Sequence, residues 1–326
     1  MAFRMSFVSS PRKALVLKTE LPPLWTLQEL GSLNPETTRV WAGAIVAARV
    51  AAQLPYVQTS PADPLPDQVA TLIVVGGGTY IDQAKLLARD SGRSIRLIAI
   101  PSIWGSGAEA SPIVVLDREG AKDIRIDPKY LPDGRAIWPE LAVSIPPARA
   151  REACGDCWAH ALEGFLSPLA DGDLRHELSD VMRSMLALPL ANDPRWFELG
   201  ARACAGQARS SVGLVHGLAH ALESPLRAAQ PSAGWHHAKL CSLFLYPVMQ
   251  WNRSISDSWS RKLADYHLDE AAIMAVARDL FDPATYDGIV PILADHWRTV
   301  LLNPCTRTNS TLVRPGSLEY FRQTFP

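Results

Sequence analysis

The hydrophobic positions of this chain fall into two textures. In the first half, short continuous apolar runs are separated by small residues and prolines; in the second, apolar positions recur at helical spacing over long stretches. Continuous runs rich in β-branched residues read as parallel strands buried on both faces. Thr71-Leu-Ile-Val-Val75 and Arg96-Leu-Ile-Ala-Ile100 are the clearest, and Lys13–Thr19, Arg39–Ala44 and Tyr56–Ser60 are shorter candidates. Helical segments are expected between them, at Ile45–Gln53 and Ile81–Asp90, while Pro61-Ala-Asp-Pro-Leu-Pro-Asp67 is too broken by proline for a helix. Strands and helices alternating at this interval predict a parallel sheet with crossover helices.

The texture changes at Pro146-Pro147. Beyond it, Ala148–Leu166, Asp173–Leu188, Trp196–His220, His236–Trp251 and Ser256–Arg278 each read as helical, with loops at Asn192-Asp-Pro194 and Ser224-Pro225. The expected architecture is an α/β domain over residues 1–147 followed by an all-α domain over residues 148–326.

Composition narrows the picture by exclusion. The chain has 326 residues, 48% hydrophobic and 20% charged, the mix of an ordinary globular protein. A formal net charge of -1 provides no field to attract nucleic acid or an anionic membrane. No apolar run is long enough for a transmembrane helix. The opening residues, MAFRMSFVSSPRK, lack the apolar core of a secretory signal, so a cytoplasmic location is expected. Five cysteines are too few and too scattered for a disulfide framework. Cys154-Gly-Asp-Cys157 has metal or redox spacing, but no second such pair completes a zinc site.

Two groups of residues carry candidate chemistry. Val75-Gly-Gly-Gly-Thr79 joins a buried strand to a helix. Glycines there allow close approach of a bound group, and a helix N-terminus offers unpaired N–H groups to a phosphate. The same triplet also reads as a tight turn with no ligand. Pro101-Ser-Ile-Trp-Gly-Ser-Gly-Ala-Glu109 follows the next strand, where Ser102 and Ser106 are placed to reach a ligand at the carboxyl edge of the sheet. The second group is histidine-rich. Asp156 and His160 lie four residues apart, as do His216 and His220, and His236-His237 opens a later helix. Residues four apart share a helix face. One aspartate with several histidines suits Fe(II), Zn(II) or a similar ion with a position left for substrate. Taken singly, each pair reads equally as a core or capping hydrogen bond.

In order and spacing, these motifs resemble the iron-containing, or group III, alcohol dehydrogenases, whose superfamily includes glycerol dehydrogenases and dehydroquinate-synthase-like enzymes. Gly76-Gly-Gly-Thr-Tyr-Ile-Asp-Gln-Ala-Lys85 resembles the family's GGGSxxDxAK loop, and Pro101–Glu109 its PTTxGTGSE segment. Trp138-Pro-Glu-Leu141 resembles DPxL, Asp156–Glu163 resembles DxxxHAxE, and Val215–His220 matches VHGxAH in full. His237 through Asn252 resembles HGxxNAxxLPxVMxxN. The resemblance implies a nucleotide-binding α/β domain and an all-α metal-binding domain. It implies a metal-dependent oxidoreductase that moves hydride between NAD or NADP and a small alcohol, aldehyde or ketone.

By the same resemblance, Asp156, His160, His216 and His237 are the expected metal ligands, with His236 as the alternative to His237. The ion is expected to be Fe(II), with Zn(II) second, and His220 is the expected catalytic proton relay. Gly76, Gly77, Gly78, Thr79, Asp82, Ser102 and Ser106 are the expected cofactor-binding residues. Trp104, Phe165, Trp235 and Arg227 are candidates for the pocket wall, and Arg209 or Arg227 for meeting an anionic substrate. The partner is a small molecule, with neither nucleic acid nor membrane, and a homodimer remains open.

Departures mark a divergent, shortened member. A proline-rich link stands in place of a helix between Ser60 and Thr71, and the stretch between His216 and His237 is longer than usual. Ala42-Gly43-Ala44 offers no acidic residue to a ribose diol, which leaves NAD and NADP both open. The competing readings are a noncatalytic or cofactor-impaired partner in a biosynthetic complex, and a lyase or cyclase on the same scaffold.

Overall fold

The computed structural model describes residues 20–118 and 121–325. The expected strand at Lys13–Thr19 lies outside the described residues. The strands are β1 (Thr38–Ala42), β2 (Val57–Thr59), β3 (Thr71–Gly76), β4 (Arg96–Pro101), β5 (Ile113–Arg118), β6 (Ala121–Ile126) and β7 (Gly134–Arg135). The helices begin with α1 (Leu27–Gly31), α2 (Ala47–Gln53), α3 (Gly78–Asp90), α4 (Pro147–Leu166), α5 (Gly172–Leu186), α6 (Arg195–Ala208) and α7 (Leu214–Ala229). They continue with α8 (His237–Ile255), α9 (Ser258–Asp265), α10 (Glu270–Leu280), α11 (Pro283–Asp295), α12 (Trp297–Leu302), α13 (Pro304–Arg307) and α14 (Leu318–Phe321). Two compact units result: one ends at Ile145 and adds Asn192–Ala208, and the other comprises Pro146–Ala191 and the chain from Arg209 onward.

The first unit is built on a five-stranded sheet of order β2-β1-β3-β4-β7, parallel throughout. Every residue of central strand β3 is buried, which explains its unbroken apolar run. A separate antiparallel hairpin, β5–β6, pairs Ile113 with Ile126 and was not foreseen. Its anchor is charged and buried. The Lys85 ammonium on α3 donates to the carbonyls of Ser111 (2.9 Å) and Ile113 (2.8 Å) and pairs with Asp82 at 3.1 Å. The Asp82 carboxylate in turn accepts from the Val115 amide at 2.9 Å. Helix α6 packs into this unit although it comes late in the chain. The Cys204 thiol donates to the Ser106 carbonyl at 3.0 Å, and Arg135 pairs with Glu198 at 2.7 Å. Gly107 is required at that contact: its φ is +56°, and a Cβ there would come 2.1 Å from Cys204 Cβ.

The second unit is entirely helical. From Ala153 to Leu166 every residue of α4 is buried, as expected of a helix surrounded by others. At Gly155 a Cβ would lie 2.6 Å from Ser242, so α4 and α8 approach closely there. Three expected boundaries move. Trp196–His220 is two helices, because Ser211 adopts φ +85° between α6 and α7. Ser256–Arg278 is also two, broken near His267 at φ +54°. No loop occurs at Ser224-Pro225, where α7 continues through the proline to Ala229. Buried Leu222 and Leu226 on either side hold that turn helical despite the missing N–H. Helices α11 to α14 had no counterpart in the sequence reading. Among the described residues no helix is long and apolar enough to cross a membrane.

Candidate metal centre

The helical unit gathers three of its histidines around a single carboxylate oxygen. Asp156 and His160 lie one turn apart on α4, His216 lies in the first turn of α7, and His237 begins α8. Around Asp156 Oδ1 stand His160 Nδ1 at 3.6 Å, His216 Nε2 at 3.7 Å and His237 Nε2 at 3.7 Å. The His160 and His216 rings are 4.4 Å apart, and those of His216 and His237 are 5.3 Å apart. These separations are too long for hydrogen bonds. They are close to the roughly 3.3–3.6 Å between donors that share one tetrahedral ion with bonds of about 2.0–2.3 Å.

The burial chemistry points the same way. Asp156 and His216 are each 2% exposed, and Asp156 Oδ1 and His216 Nε2 have no hydrogen-bond partner. Buried polar atoms left in that condition cost free energy unless something satisfies them. Burial pushes the Asp156 carboxyl above its ordinary range, against the opposing pull of His216. A divalent cation would satisfy both atoms and favour the carboxylate. The residues present therefore fit a metal.

Glu163, two turns along α4 from Asp156, organises this cluster. Its carboxylate accepts from the amides of Val215 (2.6 Å) and His216 (3.3 Å), and from His216 Nδ1 (2.8 Å). One group thus satisfies the first turn of α7 and fixes the His216 ring. With Nδ1 donating to Glu163, the Nε2 lone pair is the one that faces Asp156. The sequence motif included Glu163 but assigned it no role.

His236 and His237 are separated by the start of α8. His236 is the N-cap; its Nδ1 accepts from the Lys239 amide at 3.3 Å and its Nε2 pairs with Glu152 at 2.8 Å. His237 alone of the two reaches the cluster. Cys241, one turn further on, joins it. Its thiol lies 3.4 Å from His237 Nε2, and donor atoms of Asp156, His216, His237 and Cys241 all fall within 4.8 Å of one another. Sequence alone weighs the cysteines as a disulfide framework or as the Cys154–Cys157 pair; the signal for Cys241 is its four-residue step from His237. His220 lies beside the cluster rather than in it. Its ring stacks on His237 with centroids 5.1 Å apart, and its Nδ1 is 3.7 Å from Cys305 Sγ.

The glycine loop belongs to the other unit. Gly76 ends β3 and Gly77 caps α3 without any side-chain cap, leaving that helix end to its backbone amides. β3 and β4 are adjacent parallel strands, and the Ser102 amide donates to the Gly76 carbonyl at 2.9 Å. Ser106 sits against Gly78, where a Cβ would meet its Oγ at 2.5 Å. A Cβ on Gly77 would meet nothing nearer than Ile103 at 3.9 Å. The loop thus brings together Gly76, Gly77, Gly78, Ser102 and Ser106, with Thr79 exposed in the first turn of α3. Asp82 is placed differently: it is buried and bound to Lys85 and Val115, so it anchors the hairpin.

Comparison with known proteins bears on both regions. Residues 66–137 match the family "Iron-containing alcohol dehydrogenase". Maleylacetate reductase 2 of Cupriavidus pinatubonensis is 33% identical over 160 residues, which is 46% of this chain and 44% of that protein. 1-Propanol dehydrogenase PduQ of Salmonella typhimurium is 30% identical over 204 residues, 58% of this chain and 53% of that protein. The chain thus matches about half the length of these relatives. An iron-containing alcohol dehydrogenase from Thermotoga maritima shares the fold, with a TM-score of 0.69 over 93% of this chain and 98% of that one at 14% identity. Over residues 66–137 the chain thus matches the iron-containing alcohol dehydrogenases, and across most of its length it shares their fold.

One position departs from the iron-containing alcohol dehydrogenase motifs inside the histidine cluster itself. Counting from His237 through HGxxNAxxLPxVMxxN, the asparagine position is occupied by Cys241. The three aromatic candidates for the pocket wall are buried. Trp104 is buried edge-on against Phe197 at 5.3 Å, and Phe165 is buried against Tyr266 at 5.2 Å. Trp235 is buried and donates to Gln230 at 3.1 Å. Arg227 donates to the Trp235 carbonyl at 2.9 Å and pairs with Glu223, while Arg209 pairs with Glu177 at 2.5 Å. Large aromatics default to cores, and these follow that rule.

Proposed function

We propose that this chain is a metal-dependent oxidoreductase that transfers hydride between NAD or NADP and a small alcohol, aldehyde or ketone. The observation that carries the reading is the set of three imidazole nitrogens 3.6–3.7 Å from one buried, unpartnered carboxylate oxygen. In this reading the helical unit holds the metal and the sheet unit binds the dinucleotide. A divalent ion held there would supply Lewis-acid polarisation of a substrate oxygen, and a bound nicotinamide would supply the hydride chemistry.

The chain's own residues do the rest. Asp156, His160, His216 and His237 hold the ion, and Glu163 orients His216. His220, stacked beside His237, exchanges a proton with the substrate oxygen, a task suited to imidazole near neutral pH. Gly77, Gly78 and the amides opening α3 hold the pyrophosphate, with Ser102 and Ser106 lining the loop that follows β4.

Gly77 provides the test. Its φ of -76° is open to any residue, and the space in front of it is clear. Gly77→Val should therefore fold normally while its side chain occupies the place of a phosphate. Fluorescence titration with NADH and NADPH should show binding by the native protein and at least roughly tenfold weaker binding by the variant, a loss of about 1.4 kcal/mol. The native protein should also reduce short aldehydes with the nucleotide it binds. Failure to bind either nucleotide would overturn the reading.

A further inference from the structure

We propose that Cys241 is itself a ligand of the metal ion, as its thiolate, and that it tunes the centre toward Zn(II) over Fe(II). The inference rests on the metal-centre reading above and puts a sulfur donor with Asp156, His216 and His237 in place of His160, which is not part of that mutually close set of four. Cys241 is fully buried on α8, one turn beyond His237, so both side chains project from one helix face. Its Sγ lies 3.4 Å from His237 Nε2 and belongs to the group of four donors within 4.8 Å of one another. Two other members, Asp156 Oδ1 and His216 Nε2, are buried atoms with no hydrogen-bond partner. Sulfur and nitrogen donors on one tetrahedral ion stand roughly 3.5 Å apart, given bonds of about 2.3 and 2.0–2.1 Å. The observed 3.4 Å therefore needs little rearrangement.

The chemistry of the residue sets the consequence. When the sulfur–metal bond forms, the S–H bond breaks and its proton leaves to solvent, so each ion bound releases one proton from this position. An asparagine, which the family motif has here, offers only an amide. Thiolate is a soft donor that favours Zn(II), whereas a set made only of nitrogen and oxygen discriminates less between Fe(II) and Zn(II).

Cobalt(II) reports the bond directly, because thiolate ligation produces a near-ultraviolet charge-transfer band that nitrogen and oxygen ligands do not. Chelator-stripped full-length protein titrated with Co(II) should show this band. Cys241→Ser should lose the band while still binding Co(II), with affinity reduced by at least the roughly 10–100-fold that outer-sphere partners carry. Cys305→Ser, which alters the sulfur near His220, should keep the band. In Zn(II)/Fe(II) competition, Cys241→Asn should shift preference toward Fe(II) relative to the native protein. Native protein that loads Co(II) without the band, or Cys241→Ser protein that retains it, would overturn the assignment of Cys241 and leave the metal centre standing. Native protein that takes up no Co(II) would instead overturn the centre itself, and this inference with it. The native titration decides the question even if the serine variant does not fold.

Discussion

Replacing His216 by alanine should yield a folded protein that retains no tightly bound metal. This side chain has the most connected position in the cluster. Nε2 faces Asp156 Oδ1 at 3.7 Å, Nδ1 is held by Glu163 at 2.8 Å, and the ring lies between those of His160 and His237. Its loss removes a ligand and also the contact through which Glu163 fixes the geometry. Outer-sphere partners alone are worth roughly 10–100-fold in metal affinity, and a ligand should exceed that. The α7 N-terminus keeps its cap, because the Val215 amide still donates to Glu163. Elemental analysis after dialysis should find metal in the native protein and almost none in the variant, with similar far-ultraviolet circular dichroism. Unchanged metal content would remove His216 from the ligand set.

The second large effect is expected at Glu163, where stability and metal binding separate. Glu163→Ala leaves two buried amides of α7 and His216 Nδ1 without their acceptor. Each unsatisfied group costs about 1–3 kcal/mol, and partial relaxation suggests a total of about 2–4 kcal/mol. At about 2–4 °C per kcal/mol for a domain of this size, the melting temperature should fall by roughly 5–15 °C. Glu163→Gln keeps an acceptor oxygen for the Val215 amide but puts an NH2 in place of the oxygen that accepts from the His216 amide and Nδ1. That variant should melt between the alanine variant and the native protein and lose roughly 10–100-fold in metal affinity. Thermal melts and a chelator competition measure the two quantities. If Glu163→Gln bound metal as tightly as the native protein, Glu163 would be only a helix cap.

Local pattern carried much of this architecture. β3 and β4 were visible because strands buried on both faces must be apolar throughout. β7 has two residues and no pattern to read, and the β5–β6 hairpin depends on a buried Asp82–Lys85 pair on another element. The break between α6 and α7 has the same character. Ser210-Ser-Val-Gly213 gives little local warning, and the new helix is set by a carboxylate 52 residues earlier. At the site, a four-residue step on a helix was enough to relate Asp156 to His160. The separation of His236 from His237 required the helix start, since adjacent residues there face different directions. Cys241 was missed because cysteines were considered for pairing with each other rather than with His237.

One divalent ion should sit among Asp156, His160, His216 and His237. The most direct test is the metal content of the native protein after reconstitution with Fe(II) or Zn(II) and removal of excess ion. The protein should hold close to one ion per chain, released by a strong chelator. Reconstituted, folded protein that holds no metal would contradict it.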